Sequence, residues 1–156
     1  MAKNPRKRPS LREKAVDLLS RRRLSRGELR LKLLSRKYDP AEIEDLLDRY
    51  EEVGYLDDET LARDYAESRL IMKPMGRRLL ELELRKRLLS DGLAESAAEH
   101  AFSDISEDDL AEQVVRKAVS LTKDRKKIYQ KLARLGFQYD AIESAMSKCE
   151  PEAGWE

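Results

Sequence analysis

Cysteine and histidine occur once each, at Cys149 and His100, so no internal disulfide can form and a zinc site has too few soft ligands. Glycine and proline number six and five in 156 residues, and aromatic residues make up only 6 %. That scarcity argues against a strand-rich fold, which needs turn residues and aromatic or β-branched side chains. It also argues against one large core. No apolar run approaches the roughly 20 residues of a membrane span, and the basic start, Met1–Ser10, is not followed by the apolar stretch of a secretory signal. A cytoplasmic protein in a reducing compartment is expected. Neither GxxxxGK[ST] nor GxGxxG occurs, so no nucleotide or cofactor is expected. The carboxylates fall in acidic runs rather than in isolated apolar settings, and no catalytic constellation can be assembled.

What remains is rich in helix formers, with 40 % of residues charged and 40 % hydrophobic. The net charge of +1 conceals blocks of alternating sign. Residues 1–37 carry 14 Lys and Arg against three acids, residues 38–62 one against ten, residues 63–91 eight against five. Residues 92–113 then carry none against seven, residues 114–137 eight against one, and residues 138–156 one against five. Three cycles of sign suggest an internal repeat.

The apolar spacing supports it. Leu29, Leu33, Tyr38, Ile43 and Leu47 are separated by steps of 4, 5, 5 and 4, and the same steps join Ile128, Leu132, Phe137, Ile142 and Met146. A third set, Leu80, Leu84, Leu93, Ala98 and Phe102, fits if four residues, about one helical turn, are inserted after Leu84. Each ladder reads as the core face of two amphipathic helices joined by a tight turn. Gly92 and Gly136 suit the left-handed cap of that turn; Lys37 in the first copy does not, and a differently shaped turn is expected there. A further helix precedes each ladder. Capping boxes at Ser10–Glu13 and Ser25–Glu28, Asp39-Pro40, Asp57 or Asp58, and Ser106 mark helix starts. The expected organisation is all-α: a basic disordered arm over 1–9, three tandem three-helix repeats over 10–56, 57–104 and 105–149 in an elongated, curved array, and a frayed tail over 150–156.

Positive charge concentrates on the second helix of each repeat: Arg21, Arg22, Arg23, Arg26 and Arg30; Arg77, Arg78, Arg85, Lys86 and Arg87; and Lys123, Lys127 and Lys131 at i, i+4, i+8. These are the candidate binding residues for a polyanionic partner, since equivalent positions in a repeat array can align into one surface. The helix after each tight turn is acidic, with Glu42, Glu44, Asp45 and Asp48 in the first repeat and Asp140 and Glu143 in the third. Such helices are ill suited to the major groove.

The stretch Glu28-Leu29, Lys32-Leu33, Ile43, Gly54-Tyr55-Leu56-Asp57-Asp58-Glu59, Ala62 and Arg69 resembles the RecX family of regulatory proteins. So do Gly76, Leu80, Glu83-Leu84-Arg85, and Lys127-Ile128, Leu132, Gly136-Phe137, Tyr139-Asp140 and Ile142. The resemblance covers roughly residues 10–148. With no catalytic constellation in the sequence, a monomer that is not an enzyme is expected, and the resemblance implies that it binds filaments of the RecA recombinase on single-stranded DNA. There it limits filament growth, ATP hydrolysis, strand exchange and coprotease activity in recombination, DNA repair and the SOS response. The alternative is a stand-alone DNA-binding helical-repeat protein that acts through backbone contacts to single- or double-stranded DNA. Lys37, the order Lys73-Pro74-Met75-Gly76 and the extra turn at Leu88–Asp91 depart from the family pattern.

Overall fold

A computed structural model describes residues 7–156. Among them are nine helices and no strand: α1 (Leu11–Arg21), α2 (Arg26–Ser35), α3 (Pro40–Glu52), α4 (Asp58–Met72), α5 (Arg77–Lys86), α6 (Asp91–Asp104), α7 (Glu107–Val119), α8 (Arg125–Arg134) and α9 (Tyr139–Lys148). They form two compact units, the first ending at Leu61 and the second beginning at Ala62, inside α4.

Helix starts follow local chemistry. Both capping boxes form: the Ser10 and Ser25 hydroxyls accept from the Glu13 and Glu28 amides, and each Glu side chain accepts from its cap amide. Two otherwise orphaned donors are thereby satisfied at each helix start. Asp39 accepts from Glu42 with Pro40 at the first helical position, and Asp57 accepts from the amide and hydroxyl of Thr60.

In the first unit, Ala15, Leu18, Leu24, Leu29, Leu33, Ile43, Leu47, Tyr50 and Leu56 form one buried cluster. Each large aliphatic side chain removed from water there stabilises the unit by about 1.5–3 kcal/mol before entropy is counted. In the second unit the buried residues include Leu80, Leu84, Leu89, Ala94, Ala98, Val115, Ile128, Leu132, Ile142 and Met146.

The middle ladder corrects the expected register. Leu89, Ala94 and Ala98 are the buried residues, and the steps from Leu80 are again 4, 5, 5 and 4. No turn is inserted: α2, α5 and α8 each have 10 residues. Gly92 lies within the first turn of α6, and Leu88 occupies the left-handed position at φ 56°. The misreading has a physical cause. The core face of α6 is built from Ala94, Ala97, Ala98 and Ala101, whose small side chains give a weaker periodic signal than the neighbouring Leu93 and Phe102.

The first turn needs a second correction. Lys37 has φ 62° and Gly136 φ 85°, so the turn has the same handedness in both copies. Tyr38 N–H donates to the Leu33 carbonyl at 3.4 Å, as Phe137 N–H does to Leu132 at 3.2 Å. A lysine in this region costs about 1–2 kcal/mol, which the buried ladder on either side outweighs.

The chain ends also depart from expectation. Residues 1–6 of the basic arm lie outside the described residues, but Arg8 stacks 4.1 Å over the Tyr38 ring and donates to the Arg36 carbonyl. The Tyr38 hydroxyl donates to the Pro9 carbonyl at 2.7 Å, so residues 8 and 9 are held rather than disordered. The tail is also held at its end, where Glu156 N–H donates to the Lys123 carbonyl at 2.9 Å.

Glycine is required at one close approach in the second unit. Gly76 N–H donates to the Leu135 carbonyl at 2.8 Å and Arg78 N–H to the Gly136 carbonyl at 3.2 Å. A Cβ on Gly76 would lie 2.3 Å from the Gly136 carbonyl carbon, and one on Gly136 would lie 2.3 Å from the Leu79 nitrogen. The two backbones fit only because both residues lack side chains.

Candidate interaction surface

The second helices of the first two triplets, α2 and α5, each open against a carboxylate from the first turn of the helix two elements later. In the first unit Arg26 N–H donates to Asp58 Oδ1 at 2.9 Å; in the second Arg77 N–H donates to Glu107 Oε1 at 3.1 Å. Arg26 and Arg77 are both the first residue of their helix, and Asp58 and Glu107 the first of theirs. The motif supplies an acceptor to an orphaned helix donor and a negative charge to a helix N-terminus. Burial raises the Asp58 pKa, with the Arg26 amide opposing it. Glu107 Oε1 also accepts from Gln138 N–H at 3.4 Å.

Most of the expected binding arginines are engaged inside their own unit. Partial burial pulls the Arg26 pKa down, but ion pairs to Asp48 at 2.8 Å, Glu44 at 3.0 Å and Glu51 at 2.8 Å more than reverse this. Arg30 grips Glu44 with a two-pronged pair, which raises the Arg30 pKa and lowers that of Glu44. The acidic character of α3 is therefore directed back onto α2. Arg21 pairs with Asp17 at 3.1 Å and Arg22 with Glu28 at 3.2 Å, while the Arg23 charge helps hold the Asp57 pKa down after the hydrogen bonds from Thr60.

The second unit treats its arginines similarly. Arg77 pairs with Glu81 at 3.0 Å, and Arg85 reaches Asp91 at 2.9 Å, Glu81 at 3.6 Å and Glu95 at 3.8 Å. Arg87 lies 5.1 Å from the centroid of the Tyr65 ring, a cation–π contact. Arg69, carried by α4, holds Glu83 through two bonds of 2.7 and 3.1 Å and lowers its pKa. Arg78 and Lys86 are exposed on α5 with no carboxylate within ion-pair distance among the described residues.

The lysines differ. Lys123 precedes α8, whose cap is Asp124, so the expected row of three along one helix reduces to Lys127 and Lys131. Lys131 instead meets two residues outside the second helices. Lys73, just past α4, and Lys117, in the last turn of α7, share with Lys131 a cleft of about 400 Å³ completed by Pro74, Gln113, Val114 and Leu135. No carboxylate lines it. Lys73 and Lys117 were invisible to a reading that followed only the second helices; only tertiary packing brings them to Lys131.

A larger cleft, about 610 Å³, lies in the first unit between the start of α1 and the end of α3. Leu11, Leu46, Tyr50, Val53 and Tyr55 mix there with both charge signs, Arg12 and Arg49 against Glu42 and Asp45. Tyr50 and Tyr55 meet edge to face at 5.3 Å. Among the described residues no cluster of His, Cys, Asp and Glu could hold a metal ion, and no helix is long and apolar enough to cross a membrane.

Residues 12–49 match the family model described as RecX, first three-helix domain. A regulatory protein RecX from Chlorobium phaeobacteroides is 32 % identical over 139 residues, covering 86 % of this chain and 89 % of that protein. The chain belongs to the RecX family. A RecX from Neisseria meningitidis serogroup B is 31 % identical, over 94 % of this chain and 95 % of its own length. The fold agrees: the crystal structure of RecX from Lactobacillus salivarius superposes with a TM-score of 0.79 at 23 % identity, covering 87 % of this chain and 92 % of the other. The family's all-helical repeat fold thus extends across the chain, well beyond the matched first domain.

Proposed function

We propose that this chain modulates the RecA recombinase as an inhibitor. It binds RecA filaments on single-stranded DNA and limits their growth, ATP hydrolysis, strand exchange and coprotease activity. The observation that carries this reading is RecX-family membership over nearly the whole chain rather than over one domain. The protein acts by binding, without a catalytic group or cofactor of its own, as a monomer in the cytoplasm. The internally paired arginines suit that role, because they hold helix pairs in register and leave a rigid surface for a protein partner.

Immobilised RecA–single-stranded DNA filaments provide the test. The chain is expected to be retained by filaments formed with a non-hydrolysable ATP analogue and not by RecA alone. Equal retention by bare DNA and by filaments would contradict a filament-directed function.

A further inference from the structure

Among the described residues, the three most exposed large apolar side chains are Ile71, Leu121 and Met72, at 80 %, 79 % and 76 % exposure. Two helix ends carry them: Ile71 and Met72 close α4, and Leu121 lies two residues past α7. The same two ends bring Lys73 and Lys117 to the cleft they share with Lys131. Leu121 stands four positions after Lys117, in a turn closed by its amide donating to the Ala118 carbonyl at 2.9 Å. Apolar tips and cations therefore flank one another in the second unit. Lys73, Lys117, Lys127 and Lys131 are exposed and have no ion pair among the described residues. Neighbouring acids are already engaged. Arg69 holds both oxygens of Glu83, Asp124 caps α8 by accepting from Lys127 N–H, and Glu112 pairs with Arg116 and Lys148. Lys123 is left out of the patch, because the tail brings Glu156 to its carbonyl.

We infer that this rim docks on the surface of an anionic phospholipid bilayer. Ile71, Met72 and Leu121 enter the boundary between headgroups and acyl chains, and the lysines rest on the headgroup phosphates. Three aliphatic tips held in water gain from that boundary, and a lysine stem can lie along apolar surface while its ammonium stays at the level of the phosphates. Neither part suffices alone. Anchoring that is more than marginal needs two signals, and apolar tips beside a basic patch supply both. A free phosphodiester strand would satisfy the lysines and leave the three apolar side chains in water. An acidic protein surface is also disfavoured. Protein interfaces are depleted in Lys and enriched in Arg and aromatic residues, and no Arg or aromatic side chain lines this cleft. The attachment is peripheral, since no helix among the described residues is long and apolar enough to cross a membrane. The inference goes beyond the RecA reading and does not rest on it, because it concerns a surface bound by this chain alone.

The test is co-sedimentation of the full chain, without RecA, with sucrose-loaded vesicles at low ionic strength. One set is phosphatidylcholine alone and the other equimolar phosphatidylcholine and phosphatidylglycerol. Wild type is expected to partition onto the mixed vesicles and not onto phosphatidylcholine. The variant I71S/M72S/L121S should lose affinity for the mixed vesicles by about tenfold per side chain. The variant K73Q/K117Q/K131Q should lose about fivefold per lysine. The charge-matched variant R12Q/K32Q/R49Q, altered at exposed positions of the first unit, should partition nearly as wild type does. Far-UV circular dichroism checks that all three variants are folded. The inference is overturned if wild type stays in the supernatant with mixed vesicles, if it binds phosphatidylcholine equally well, or if I71S/M72S/L121S binds as wild type does. Equal losses in the two charge variants would also overturn it, by reducing the effect to net charge. Two further readouts assign the rim to another partner and overturn the inference in the same way: oligothymidylate binding that falls as far as vesicle binding in I71S/M72S/L121S, or filament retention lost in that variant while vesicle binding persists.

Discussion

The two strongest basic blocks of the chain meet opposite fates. Residues 1–37 hold the larger excess, yet Arg26 and Arg30 are neutralised by Glu44, Asp48 and Glu51, and Arg21 and Arg22 by Asp17 and Glu28. Residues 114–137 hold fewer cations, yet Lys117, Lys127 and Lys131 have no ion pair among the described residues. The difference lies in residue type and in where the next helix points. Arginine's fork captures two or three carboxylates across a helix pair, whereas a lysine on a flexible stem stays in water unless an acid is brought to it. Segment charge therefore does not measure the charge offered to a partner.

Several variants can break or sharpen this contrast. The largest effect is expected from Gly136→Ala, which adds a Cβ at a left-handed residue pressed against Leu79 and disturbs the turn next to Leu135. Strain and collision together should cost at least about 3 kcal/mol, read as a lower urea midpoint. The cleft should be lost with it. Arg26→Ala comes next, because it strips one cation from three carboxylates. A loss of about 1.5–3 kcal/mol is expected from the charged hydrogen bonds, reduced toward the lower figure because the acids are half exposed.

Acid titration separates groups that share a charge but not a sign of effect. The Glu83 pKa is held below its ordinary 4.5 by Arg69, so the stability it contributes is complete above 4.5 and is lost as pH falls through the lower folded value. Asp58 runs the other way. Burial raises its pKa above the ordinary 3.8, so the contribution favouring the folded state is present below 3.8 and is lost as pH rises through the folded value. In urea melts from pH 7 down to 3, Arg69→Met should flatten the acid loss. Asp58→Asn should steepen it, because the opposing term is gone.

Lys37→Gly should stabilise the first unit by about 1 kcal/mol by relieving the left-handed lysine, read as a rise in melting temperature. The smallest change is expected from K73Q/K117Q/K131Q, within about 0.5 kcal/mol of wild type. That near-neutrality, set beside the cost of Arg26→Ala, states the contrast between spent and available charge as a stability difference.

The helix starts were legible because they depend on residues within one turn: Ser10 with Glu13, Ser25 with Glu28, and Asp39 with Pro40. The ladders of the first and third triplets were legible because large apolar side chains mark every step. The middle ladder was misread where alanines carry the core face, since Ala94 and Ala98 look no more apolar than their surroundings. The left-handed Lys37 and Leu88 show why glycine alone is an unsafe guide to such turns: a buried ladder can hold a strained residue in place. The basic clusters were legible as charge but not as surface, because Glu44 and Asp48 face α2 only once α3 has folded back. Lys73, Lys117 and Lys131 are separated by 44 and 14 positions, and no local pattern joins them.

The most direct test of the account is ATP hydrolysis by RecA on single-stranded DNA, followed while the chain is titrated in. The account predicts that hydrolysis falls well before the chain equals RecA in concentration, because limiting growth at a filament needs fewer molecules than subunits. Hydrolysis unchanged at a large molar excess of folded chain would contradict it.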